Sequence, residues 1–225
     1  MKQRAFFLHR TEWGRLFGGK RQTNLNESKS ILGEVTAHTK GHILMSGPSL
    51  LTSTGHRKYL NAVERDRFIA AAHAQPDKAC LLCLTLLWTG GRLSEVLALK
   101  PEHISRDEGA VIFRTLKKRD QTVFRQVPVP RSLITALSEG KKPLFPWQRT
   151  QAWTIVKMVM QDAGISGPQA TARGLRHSFA VHAVTRGVPL HLIQRWLGHS
   201  RLETTAIYSQ ALGPEERQIA KRMWD

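Results

Sequence analysis

Thr89-Gly90-Gly91-Arg92-Leu93-Ser94-Glu95 divides an apolar stretch from a charged one. On its N-terminal side Asp77–Trp88 is strongly apolar, which predicts a buried helix. The two glycines break that helix. A shorter helix, Arg92–Leu99, follows and ends before Pro101, because a proline disfavours helical backbone in the residue ahead of it. Arg92 and Glu95 sit one turn apart on this short helix, close enough for a salt bridge. Cys80 and Cys83, the only cysteines, lie inside the apolar run. With apolar neighbours and no second pair, they read as small core residues rather than as a redox or metal site.

Upstream, Asn61 and Glu64 have the spacing of an N-cap and its capping-box partner, and predict a helix to about His73. A folded domain is expected over 59–225. Residues 1–58 are rich in Gly, Ser, Thr and Asn and carry ten Lys and Arg against three Asp and Glu. They are expected to form a basic, largely flexible arm. Downstream, Ala110–Leu116 and Thr122–Val129 read as two strands around the basic turn Lys117-Lys118-Arg119-Asp120-Gln121. Helical patterns then cover Arg131–Glu139, Thr150–Ala163, Gly174–Arg186, Leu190–Leu197, Leu202–Gln210 and Pro214–Trp224. The expected class is α+β, mainly helical, with one small antiparallel sheet.

Over its 225 residues the chain has 34 Lys and Arg against 17 Asp and Glu, a formal net charge of +17. Such an excess points to a polyanionic partner, with nucleic acid ahead of a membrane surface. No apolar run reaches the roughly 18 residues of a membrane span, and Phe6-Phe7-Leu8 is too short for a signal peptide.

Three further segments carry chemistry: Arg173-Gly174-Leu175-Arg176-His177, Leu197-Gly198-His199-Ser200, and Tyr208. Two guanidiniums can clamp a phosphate, an imidazole can donate or move a proton, and a phenol can attack phosphorus. Together with the Arg92 segment, and in this order, they resemble the catalytic domain of the tyrosine recombinase (phage integrase) family. The resemblance implies a DNA recombinase acting through a covalent 3′-phosphotyrosyl intermediate, with Tyr208 as nucleophile. It implies that Arg92 and Arg176 bind the scissile phosphate, that His199 assists, and that a hairpin lysine, Lys117 or its neighbour Lys118, protonates the 5′-oxygen. Glu95 and His177 are expected to support this set. Lys118, Arg119, Arg125 and Arg201 are expected to contact DNA.

Two positions depart from the family pattern. Arg173 stands where histidine or lysine is usual; it keeps a cation there but is a poor proton shuttle. The first 58 residues are too few and too polar for the N-terminal helical domain of most relatives, a layout closer to the short fimbrial-switch recombinases. The resemblance further implies double-stranded DNA with specific sites, a homo-tetramer on paired sites, accessory DNA-bending proteins, no metal or other cofactor, and a cytoplasmic, nucleoid-associated location. A helix-turn-helix regulator built on Leu190–Gln210 would leave Arg92, Arg176 and the hairpin lysine unexplained as a group. A metal hydrolase finds no zinc motif among the ten histidines. A type IB topoisomerase shares the chemistry and differs in needing no specific site.

Overall fold

The computed structural model describes residues 49–116, 122–140, 143–211 and 223–224. Helix α1 (Ala62–His73) starts at a full capping box: Asn61 Oδ1 accepts from the Glu64 amide at 2.8 Å, and Glu64 Oε2 accepts from the Asn61 amide at 2.9 Å. Just ahead of it, residues 49–58 make a tight turn, with Leu51 bridged to Arg57 and Leu50 buried. Arg57 closes this turn onto α1 by donating to Glu64 at 3.0 and 3.3 Å. Burial alone would raise the Glu64 carboxyl, but the hydrogen bonds from Asn61, Arg57 and Gln169 outweigh it and hold the group below its ordinary range.

Helix α2 (Asp77–Thr89) is the buried helix that its apolar run predicts, and Leu82, Leu86 and Leu87 are fully enclosed. Each such leucine contributes about 1.5–3 kcal/mol on leaving water. Cys80 and Cys83 are free thiols in the same core, and burial pushes Cys80 up to about 11, so they are inert packing residues. Gly90 ends the helix with φ +60°; a Cβ there would lie 2.5 Å from Phe179 and 2.9 Å from Leu197. Only glycine fits both the backbone and the space.

Helix α3 (Leu93–Leu97) and a single 3-10 turn (Pro101–His103) lead to the sheet. Strands β1 (Ile104–Ser105), β2 (Ala110–Leu116) and β3 (Thr122–Pro128) are antiparallel in that order, with Val111 opposite Val127 and Phe113 opposite Arg125. The hairpin was expected. β1 was not, since two residues are too few to show an alternating pattern.

Helices α4 (Arg131–Glu139), α5 (Arg149–Asp162), α6 (Ala172–Thr185) and α7 (Leu190–Leu197) complete the body. α2 packs on α1, α4 and α6, while β3 lies against α7. The helix expected over Leu202–Gln210 is instead one α-turn, α8 (Glu203–Ala206), that tightens into a 3-10 segment, Ile207–Ala211. Of the helix expected over Pro214–Trp224, only Met223 and Trp224 fall among the described residues, as an exposed turn. Residues 1–48 of the arm expected over 1–58 and residues 117–121 lie outside them. No described helix is long and apolar enough to cross a membrane.

α6 begins at Thr171, whose hydroxyl accepts from the Gly174 amide at 3.0 Å. A Cβ on Gly174 would overlap the Gln169 carbonyl oxygen, a backbone atom that cannot step aside. Gly174→Ala is therefore expected to destabilise the fold by about 3 kcal/mol, read as a lower urea midpoint with an unchanged m-value.

Candidate active site

Arg176, carried inward by α6, is 8% exposed. It donates from Nη1 to the Gly90 carbonyl and from Nη2 to the Leu197 carbonyl, each at 2.7 Å. Both carbonyls stand at helix C-termini, those of α2 and α7, where oxygens lack helical partners and the helix dipole favours a cation. One guanidinium thus draws two helix ends together. Two residues beyond each carbonyl come Arg92 and His199, so this clamp brings distant segments to one place. Burial and the neighbouring Arg92 lower Arg176 to about 10, which leaves it cationic at neutral pH.

Beside it, Glu95 is shared by two arginines. Arg92 donates to it from its amide at 2.8 Å and from Nη1 at 2.7 Å, and half of the Arg92 side chain faces solvent. Arg125 donates to both Glu95 oxygens, at 3.2 and 2.7 Å, and from Nε to the Trp196 carbonyl at 2.8 Å. Its guanidinium lies 4.5 Å over the Phe113 ring. Burial would raise Glu95, but the Arg125 contacts and then those of Arg92 prevail and hold it ionised below the usual range. The expectation that Arg125 contacts DNA needs correction: the residue is 6% exposed, and its donors brace α3 and α7. The alternation of β3 explains this, because Arg125 shares the inward face with Val127.

Tyr208, in the 3-10 segment, is 1% exposed. Its Oη lies 3.0 Å from His177 Nδ1, and the His199 ring stacks on its own at 6.4 Å and 11°. His199 is held from both sides: its Nδ1 is 2.9 Å from Thr205 Oγ1, and its carbonyl accepts from Gln194 at 3.2 Å. When Nδ1 accepts from the threonine hydroxyl, Nε2–H is left to donate. Burial, followed by Arg176 and Arg92, lowers His199 to about 4. Burial raises Tyr208, with Arg176 and Arg173 pulling the other way.

Arg92, Arg176, His199 and Tyr208 therefore converge, with Glu95 and His177 against them, a convergence that a helix-turn-helix regulator does not require. Arg173 is exposed at the start of α6 and acts on His177 and Tyr208 through its charge. Arg201 is exposed in the turn before α8. Lys117, Lys118 and Arg119 lie outside the described residues. A cleft of about 300 Å³ between β3 and α7, lined by Phe124, His191, Arg195 and Gly198 among others, opens onto His199.

The helical body, its three-stranded sheet and this cluster define a tyrosine recombinase catalytic domain. Residues 58–213 match the model of the phage integrase family, and the chain belongs to that family. It is 29% identical over 191 residues to the tyrosine recombinase XerA of Pyrococcus furiosus, covering 78% of this chain and 62% of that protein. It is 42% identical over 190 residues to the tyrosine recombinase XerD of Xanthomonas axonopodis pv. citri, covering 75% and 60%. The crystal structure of XerA recombinase superposes with a TM-score of 0.60 at 23% identity, over 73% of this chain and 64% of that one. The chain thus spans about 60% of the length of the curated relatives it matches.

Two stability measurements follow from the Glu95–Arg125 pair, whose side chains are 10% and 5% exposed. Arg125→Ala leaves Glu95 without its buried partner and is expected to cost about 3–5 kcal/mol in urea unfolding, partly recovered by adding Glu95→Gln. Because the folded Glu95 is depressed below its unfolded value of about 4.3, its contribution is complete above that pH. It is lost as pH falls through the folded value. Glu95→Gln should flatten that acid limb of the urea midpoint against pH.

Proposed function

We propose that this protein is a site-specific recombinase that cuts and rejoins DNA strands through a 3′-phosphotyrosyl link at Tyr208. The observation that carries this reading is the convergence of Arg92, Arg176, His199 and Tyr208 from separate segments. In this reading the Tyr208 oxygen attacks the scissile phosphorus and the 5′-oxygen departs. The phosphorane gathers negative charge on its non-bridging oxygens, and Arg92 and Arg176 are the donors for it. Arg176 spends one bond on each helix end and keeps further N–H groups for the phosphate. His199 donates from Nε2, and exposed Arg173 adds a third cation. Lys117 on the hairpin, or its neighbour Lys118, supplies the proton to the 5′-oxygen. The phosphotyrosyl bond conserves the energy of the phosphodiester, so rejoining needs no nucleotide.

Lys118, Arg119, Arg201 and the basic arm at 1–58 are the backbone-contacting groups of this proposal, and binding should weaken steeply with salt. By analogy with the recombinases it resembles, the chain would act on specific double-stranded sites as a homo-tetramer on paired DNA. Accessory bending proteins and a nucleoid location belong to the same proposal.

Tyr208→Phe is expected to keep DNA binding and to form no covalent adduct on a nicked suicide substrate; an adduct in that variant would remove Tyr208 as nucleophile. Lys117→Ala is expected to cut ordinary DNA poorly and to be rescued by a 5′-bridging phosphorothiolate, whose sulfur leaves without a proton. Rescue confined to Lys118→Ala would move the acid by one residue.

A further inference from the structure

The reaction above needs an acceptor for the phenolic proton, and the cations around Tyr208 cannot provide one. A guanidinium carries donors and no acceptor, so neither Arg173 nor Arg176 can take that proton. His199 presents its ring face to Tyr208, and its Nδ1 is turned to Thr205. His177 is different. It follows Arg173 by four residues, hence on the same face of α6, and its Nδ1 is 3.0 Å from the phenolic oxygen. Among the described residues that nitrogen is the only hydrogen-bond partner of Tyr208 Oη. With Tyr208 1% exposed, bulk water does not reach the phenol.

We infer that His177 is the general base of the reaction: it takes the Tyr208 proton during attack and returns it during rejoining. The inference rests on Tyr208 being the nucleophile. In cleavage the Oη–phosphorus bond forms, the phosphorus–O5′ bond breaks, and the phenolic proton moves to His177 Nδ1. The 5′-oxygen takes a proton from the general acid, for which Lys117 is proposed. In rejoining the 5′-hydroxyl returns its proton to that lysine as it attacks, and Tyr208 leaves with the proton held on His177. Acceptance at Nδ1 requires the resting imidazole to carry its hydrogen on Nε2.

The electrostatics suit this task. Burial, then Arg173, Arg176 and Lys58, lower His177 to about 4, so it is neutral at rest with a lone pair to offer. The charged groups that depress it are all cations. A phosphodiester arriving on the arginines offsets part of that field and raises the proton affinity of the imidazole as the proton must move.

The test is single-turnover adduct formation by the full chain on a nicked suicide substrate. His177→Gln is expected to bind DNA as before and to form adduct about 10²–10⁴-fold more slowly. A ring-fluorinated tyrosine at position 208, whose phenol ionises closer to neutrality, should restore most of that rate in the variant and change the unsubstituted protein little. His177→Asn, with the same amide on a shorter stem, serves if His177→Gln does not fold. Wild-type rates in a folded variant overturn the base assignment, as does a slow variant that fluorination leaves slow. Neither result touches the nucleophile, whereas adduct formation by Tyr208→Phe would remove the reading beneath.

Discussion

The two hydrogen bonds from Arg176 to the Gly90 and Leu197 carbonyls hold this structure's functional geometry together. A buried guanidinium is costly unless its donors are met, and a helix C-terminus is costly unless its carbonyls are met. Here each need meets the other twice. The bonds require α2 and α7 to end side by side, and they do so because Gly90 lets Phe179 and Leu197 approach where any side chain would clash. With that junction set, Arg92 and His199 have no freedom to lie elsewhere. Any substitution that parts the two helix ends would scatter the cluster without touching its members.

A second layer steadies the first. Glu95 bonds Arg92 on its exposed side and Arg125 on its buried side, while Arg125 also takes the Trp196 carbonyl, next to Leu197. The hairpin is thereby fastened to the same helix end that Arg176 holds. Glu95 is the one carboxylate bonded into this cluster among the described residues, against Arg92, Arg125 and Arg176. Burial first, and the unbalanced positive charge after it, push both imidazoles toward neutrality. An anion placed there relieves a repulsion already present in the fold, which favours binding at the point where charge builds up in a phosphorane.

Legibility in the sequence followed the strength of local signals. Asn61 with Glu64 and the apolar run at Asp77 are local patterns, and the helices stand where they predict. β2, α4 and α7 have the bounds read from the sequence. β1 escaped because a two-residue strand is defined by its partner, not by its composition. The helix expected from Leu202 is shorter than its pattern, because periodicity does not separate an α-turn from a 3-10 turn over so few residues. The charge of Arg125 suggests a contact with DNA, whereas its register turns it inward. In Phe124-Arg125-Gln126-Val127 the alternation already assigns arginine to the side of valine. The contact of His177 with Tyr208 spans 31 residues and depends on how the 3-10 segment lies on α6, which no local pattern encodes.

The element that carries Tyr208 is also the least regular near the site. α8 is one turn long, and the 3-10 geometry after it makes weaker hydrogen bonds than an α-helix. Yet the tyrosine is among the most buried side chains in the protein, while Arg92 across the site remains half exposed. Deep burial on a short, weakly bonded segment means that the side-chain contacts with His177 and His199, rather than the backbone, set where the phenol rests. Such a segment can shift at little cost in backbone hydrogen bonds. A shift that brings the phenol to a phosphate on Arg92 and Arg176 while His177 stays within reach of its oxygen therefore works against its burial and its stacking on His199, and leaves the Arg176 clamp in place.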